Sequence, residues 1–113
     1  APLTYSFSGV WDVEPRWVEE NADAVQLLDV REPAEFTGPL GHIAGSVLIP
    51  LGTLPDRTGE LSKDKPIVAI CRSGARSAQA VKFLEQAGFK RLANLPGGMM
   101  RWRSEGLQTE GGD

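Results

Sequence analysis

The one cysteine of the chain, Cys71, opens the stretch "CRSGARS" at residues 71–77, where two arginines, two serines and a glycine follow it within six positions. A cysteine does chemistry as its thiolate, which attacks electrophilic sulfur or phosphorus. That thiolate is populated where positive charge and hydrogen-bond donors gather round it. The flanking residues supply the means: "KPIVAI" before Cys71 has the pattern of a buried strand, and "AQAVKFLEQAG" after Ser77 that of a helix. Between a strand end and a helix start, backbone N–H groups have neither a strand partner nor a helical one. A tight loop turns them inward as a nest, and the helix dipole adds partial positive charge. Gly74 permits the backbone angle that such a curl needs, and Ser73 and Ser77 add hydroxyl donors. Arg76 falls at the helix start, the wrong end for a cation. With Arg72 close by, that placement makes sense if an anion sits between the two guanidinium groups.

Each residue also has a plain explanation. A cysteine ending an apolar strand is usually packing, and arginines near a loop are usually solvated. The combination strand–Cys–x–x–Gly–x–Arg–Ser–helix tilts the balance toward function. Other chemistries find few residues. His42, the one histidine, stands in the turn "LGHIAGS", where a loop-holding hydrogen bond suits it better than the base of a Cys–His pair. With one cysteine there is no internal disulfide, no relay of two thiols and no multi-cysteine zinc site. Neither a Walker loop nor a dinucleotide fingerprint occurs, and "PGGMM" is a turn before a helix. No metal and no cofactor are expected.

The elements that must position Cys71 are legible as short units between glycines and prolines. "SGVWDV" is a first strand; "EPRWVEENAD" a helix with Pro15 in its first turn and Trp17 and Val18 inward. "AVQLLDV" is a second strand, "SVLIP" a third, "PIVAI" a fourth and "KRLANL" a fifth. The turn-rich "REPAEFTGPLGHIAG" has room for one short helix near Pro33–Phe36, and "DRTGELSKD" for another. Residues 75–87 form the clearest helix, with Ala78, Val81, Leu84 and Ala87 on one face and Gln79, Lys82 and Gln86 opposite. Gly88 suits its C-terminal cap, with Phe89 folding back on the last turn. "MMRWRSEG" is a final helix, and "TEGGD" looks frayed. Strands that are apolar without a period of two, alternating with helices, predict an α/β class with a parallel sheet covered on both faces. Ligands bind outside the carboxyl ends of such strands. Asp29-Val30-Arg31 and the Cys71 loop both fall there.

With 113 residues the chain makes one domain over 1–113, its core spanning about 10–106 and its tail 107–113 flexible. Hydrophobic residues make up 41% and charged residues 24%, as in a soluble globular protein. A net charge of −3, with scattered basic residues, argues against a nucleic-acid surface, and no apolar run is long enough for a membrane span. "APLTYSFSGV" carries no secretory pattern, and the lone thiol points to the cytoplasm. The chain starts without Met, so a processed or longer precursor stays open.

Four segments in order give the chain a resemblance, from about Val10 to Trp102, to the single-domain rhodanese (thiosulfate sulfurtransferase-like) family. They are "LLDVREPAEF", "GHIAGSVLIP", "IVAICRSGARSAQAVKFLEQAGF" and "NLPGGMMRW". In the second, Ala44, Ser46 and Leu48 stand where Pro, Ala and Asn are usual in the family. The resemblance implies a three-layer α/β/α fold whose five-stranded parallel sheet has the order 3-2-4-5-1, counting the strands above. It implies a ping-pong sulfur transfer. The Cys71 thiolate takes the outer sulfur of thiosulfate or another persulfide donor, sulfite leaves, and the Cys71 persulfide passes its sulfur to cyanide, a thiol or a protein acceptor. The loop amides of Arg72, Ser73, Gly74, Ala75, Arg76 and Ser77 would stabilise the persulfide, and Arg72 and Arg76 would hold the donor's sulfonate. Asp29 and Arg31 resemble supporting residues that brace the loop. Trp102 and Met99 fit core packing better than a pocket wall. Two rivals stand beside this reading. A Cdc25-like phosphatase or arsenate reductase would have a loop one residue longer than the four residues between Cys71 and Arg76. A non-catalytic regulatory or persulfide-carrier module would keep the fold without turnover.

Overall fold

The computed structural model describes residues 3–5 and 9–113. Among the described residues the sheet has six strands: β1 (Leu3–Tyr5), β2 (Trp11–Val13), β3 (Gln26–Asp29), β4 (Val47–Leu48), β5 (Ile67–Ile70) and β6 (Leu92–Asn94). Their order is β1-β2-β6-β5-β3-β4. From β2 to β4 the neighbours are parallel, so the expected five-stranded order holds. The addition is β1, which pairs antiparallel with β2 at the edge, Leu3 facing Val13 and Tyr5 facing Trp11. All three β1 residues are exposed, so no burial rhythm marked them as a strand in the sequence. Ser8, the first residue of the expected "SGVWDV" strand, lies outside the described residues.

The central strands are apolar throughout because the sheet is buried on both faces. On β5, Ile67 and Ala69 enter one core with Cys71 beyond them, while Val68 and Ile70 enter the other. The first core lies under α3 (Ala75–Gln86), which contributes Ala78, Ala80, Val81 and Leu84, and under the 3-10 segment Leu51–Asp56, which contributes Leu54. The second lies under α1 (Pro15–Glu20) and α4 (Gly98–Ser104), with Val18, Met99 and Trp102. The remaining short helix, α2 (Pro33–Phe36), stands at the carboxyl end of β3. This is the three-layer arrangement expected. α3 ends as predicted: Gly88 has φ 97°, its N–H donates to Glu85 O, and the N–H of buried Phe89 reaches back to Leu84 O. No helix among the described residues is long and apolar enough to cross a membrane.

The tail differs from the expectation. Leu107 is buried, the Trp102 indole N–H donates to Gln108 O at 2.9 Å, and His42 and Glu110 exchange backbone hydrogen bonds in an antiparallel bridge. Asp113 N–H also donates to Pro39 O. A run such as "TEGGD" carries no apolar pattern, so backbone pairing with a distant loop leaves no mark in its composition.

Candidate active site

Parallel pairing of β3 with β5 sets Asp29 opposite Ile70, and Val30 N–H donates to Ile70 O. Asp29-Val30-Arg31 and the Cys71 loop therefore leave the sheet side by side. Cys71 is 1% exposed. Its Sγ lies inside the curl of the loop, where Gly74 N–H donates to it at 3.0 Å and the Ser77 hydroxyl at 3.3 Å. Burial pushes the thiol's pKa up. Hydrogen bonds from the Ser77 hydroxyl and from the backbone amides of Ser77, Gly74 and Ser73 outweigh it, and the pKa falls below the ordinary value. These donors favour the anion, which is the preorganisation that a sulfur nucleophile needs.

The curl rests on two glycines. Gly74 has φ 109° and caps the start of α3. Gly98 has φ 56°, and a Cβ there would collide with the carbonyl groups of Cys71 and Arg72. That close approach lets the first amides of α4 satisfy the loop: Met99 N–H donates to Cys71 O at 2.9 Å and Met100 N–H to Arg72 O at 3.0 Å. Met99 and Trp102 are themselves buried in the core. On the other flank, Asn94 Nδ2 donates to Gly74 O at 3.3 Å and to Asp12 Oδ1 at 3.2 Å. A polar cavity of about 310 Å³ opens here between Asp12, Asn94, Gly97 and Ser73–Ala75. A larger, apolar cavity of about 420 Å³ lies at the amino ends of β5 and β6, lined by Leu3, Trp11, Trp17 and Ile67, away from the sulfur.

Asp29 and Arg31 are both fully buried and pair with each other, Nε to Oδ1 at 2.9 Å and Nη2 to Oδ2 at 2.7 Å. Arg31 also donates to Glu35 O at 3.1 Å and to Gly41 O at 2.8 Å. The guanidinium thus ties the end of β3 to α2 and to the loop before His42. His42 stacks on Phe36 with ring centres 3.9 Å apart and its Nδ1 lies 3.0 Å from Phe36 O, a loop-holding role as expected.

Arg76 departs from the expectation. Its guanidinium makes a bidentate pair with the Glu35 carboxylate, at 2.7 and 2.8 Å. The Glu35 carboxyl is pulled down to about 2, chiefly by the hydrogen bonds from Arg76 and against the effect of burial. The anion that answers a cation at the start of α3 is therefore a side chain of the protein itself. Arg72 is exposed beside the loop. Sequence reasoning missed Glu35 and Asn94. Glu35 had a signal, the spacing Glu32-x-x-Glu35 of a capping box, which α2 does form. Asn94, a polar residue ending an apolar strand just before the Pro96-Gly97-Gly98 turn, had a weaker one.

Residues 14–105 match the model of the rhodanese-like domain. A sulfurtransferase of Allochromatium vinosum is 41% identical over 87 residues, covering 77% of this chain and 79% of that protein. A putative sulfurtransferase of Bacillus subtilis is 43% identical over 86 residues, covering 76% of this chain and 81% of its own length. The crystal structure of a rhodanese-related protein from Thermoplasma volcanium superposes with a TM-score of 0.79 at 38% identity, over 86% of this chain and 94% of that one. The matched span takes in the β3–α2 segment, the Cys71 loop, α3 and the glycine turn into α4, and the chain belongs to the rhodanese-like domain family.

Proposed function

We propose that this domain is a sulfurtransferase that carries sulfane sulfur as a persulfide on Cys71. The observation that carries the reading is the Sγ atom held inside a curl of donors that lower its pKa. The names of the relatives agree in class. In the first half-reaction the Cys71 thiolate attacks the outer sulfur of thiosulfate. The new Cys71–sulfur bond forms as the S–S bond of the donor breaks, and sulfite leaves with the electron pair. In the second, a thiophilic acceptor such as cyanide, a small thiol or a protein thiol attacks the terminal sulfur, and Cys71 departs as thiolate. The amides of residues 72–77 stabilise the anionic persulfide. Exposed Arg72 meets the donor's sulfonate, while Arg76 acts at the rim as half of its pair with Glu35. Asp29 and Arg31 support the loop from β3. The lone thiol suits a reducing compartment, the cytoplasm.

A Cdc25-like phosphatase fits less well. Its arginine would have to face a phosphate, and here Arg76 faces Glu35. The test is incubation with thiosulfate followed by mass spectrometry. One added sulfur on Cys71 is expected, with thiocyanate released on adding cyanide and neither signal in Cys71→Ser. Absence of both from the unaltered chain would defeat the proposal, and Cys71-dependent hydrolysis of an aryl phosphate would replace it. A persulfide that forms readily but passes slowly to cyanide would mark a carrier whose acceptor is a protein.

A further inference from the structure

Asn94 is 4% exposed, and its Nδ2 donates both of its hydrogens, one to Asp12 Oδ1 and one to Gly74 O. Its Oδ1 is buried and accepts no hydrogen bond from the described residues of the protein. A buried carbonyl that no protein group satisfies calls for an explanation, and the contacts of the other half of the amide supply one. The contact it preserves is on Gly74, whose own N–H reaches Cys71 Sγ. Gly74 O also accepts the first helical bond of α3, from Ala78 N–H at 3.2 Å, so the carbonyl is held from two directions. Fixing that carbonyl fixes the peptide on one side of the Gly74 Cα. The N–H on the other side of the same Cα is the one that meets Cys71 Sγ at 3.0 Å. Glycine with φ 109° has wide freedom about both bonds, so something outside the loop must choose the angle. β2 and β6 supply it, since Asp12 and Asn94 are partners in the parallel ladder.

We propose that Asn94, anchored by Asp12, is a positioning residue for the Cys71 nucleophile: its carboxamide clamps Gly74 so that the Gly74 N–H points at Sγ. The donors of the loop are then aimed by the neighbouring strands β6 and β2 as well as by α3. The inference rests on Cys71 being the nucleophile of the sulfur transfer proposed above. Its test uses neither sulfur donor nor acceptor, so the two readings fail separately.

The experiment is the pH dependence of Cys71 alkylation by iodoacetamide in the whole chain, with the thermal midpoint measured alongside. Asn94→Ala is expected to move the alkylation midpoint up by about one pH unit, the scale of one weakened hydrogen bond to a charged group. Asp12→Ala leaves Asn94 in place without its anchor and is expected to move it the same way by less. Val25→Ala, in the core at the amino end of β3, is the control for lost stability alone and should leave the profile unmoved. An Asn94→Ala profile that superposes on the parent's would overturn the proposal, as would an equal shift in Val25→Ala. If Asn94→Ala does not fold, an unshifted Asp12→Ala profile overturns it and a shifted one supports it.

Discussion

Cys71 combines two properties that usually exclude each other, since it is buried and yet its pKa is lowered. Burial alone would favour the neutral thiol, so the hydrogen bonds must more than offset it. The Ser77 hydroxyl is the one donor among them that comes from a side chain, which makes it separable from the backbone. Ser77→Ala should raise the thiol pKa and reduce the thiolate fraction near neutral pH, lowering the rate of alkylation at pH 7 by about three- to tenfold. The effect should fade as the pH rises above both thiol pKa values, where both proteins are fully ionised. A uniform loss of rate at every pH would instead indicate blocked access. Ser77 could be singled out from its position in "CRSGARS". That its side chain turns inward rather than capping the helix from outside depends on the curl, which is a tertiary feature.

Between elements, the pair of Glu35 and Arg76 joins α2 to the start of α3 and so sets one wall of the loop. Because the Glu35 carboxyl is drawn from 4.5 to about 2, the folded state binds its proton less tightly than the unfolded chain does. The stability contributed is fully present above about 4.5 and is lost as the pH falls toward about 2. Both side chains are partly exposed, so the pair is worth at most about 1 kcal/mol. Glu35→Gln should therefore melt below the parent at pH 7 by up to about 5 °C. The gap should narrow when both are melted at progressively lower pH below 4.5, the ordinary value of the carboxyl in the unfolded chain. A gap that stays constant with pH would assign the loss to the α2 cap, to which Glu35 also contributes by accepting from Glu32 N–H at 3.0 Å.

At the scale of the whole molecule, the tail closes the structure beside the second core. Leu107 packs with Trp102, and residues 108–113 run back along the loop that Arg31 also holds. Removing residues 107–113 deletes a buried leucine, the acceptor of the Trp102 indole and the bridge to His42. The expected loss is roughly 2–3 kcal/mol, or about 10 °C in the thermal midpoint. An unchanged midpoint would show that the tail lies outside the cooperative unit. The same bridge is continuous with the stacked His42–Phe36 pair, and through α2 with Glu35, so the deletion should also loosen the rim of the Cys71 loop.

The sequence by itself determined the α/β class and set its one thiol at a strand end as the candidate nucleophile, and its resemblance to the rhodanese family implied the order of the parallel strands. The class and the place of the thiol rest on local signals: unbroken apolar runs that only a doubly covered sheet can bury, and glycines where the backbone turns. The tertiary structure decided what each charged and polar group meets. Arg76 and Glu35, Asn94 and Gly74, and His42 and Glu110 are 41, 20 and 68 residues apart along the chain. Their pairings follow from strand order and from the close approach at Gly98, which no local pattern encodes. An arginine at a helix start asks for an anion in either reading, and only the packing of α2 against the loop shows that a carboxylate of the chain is already there.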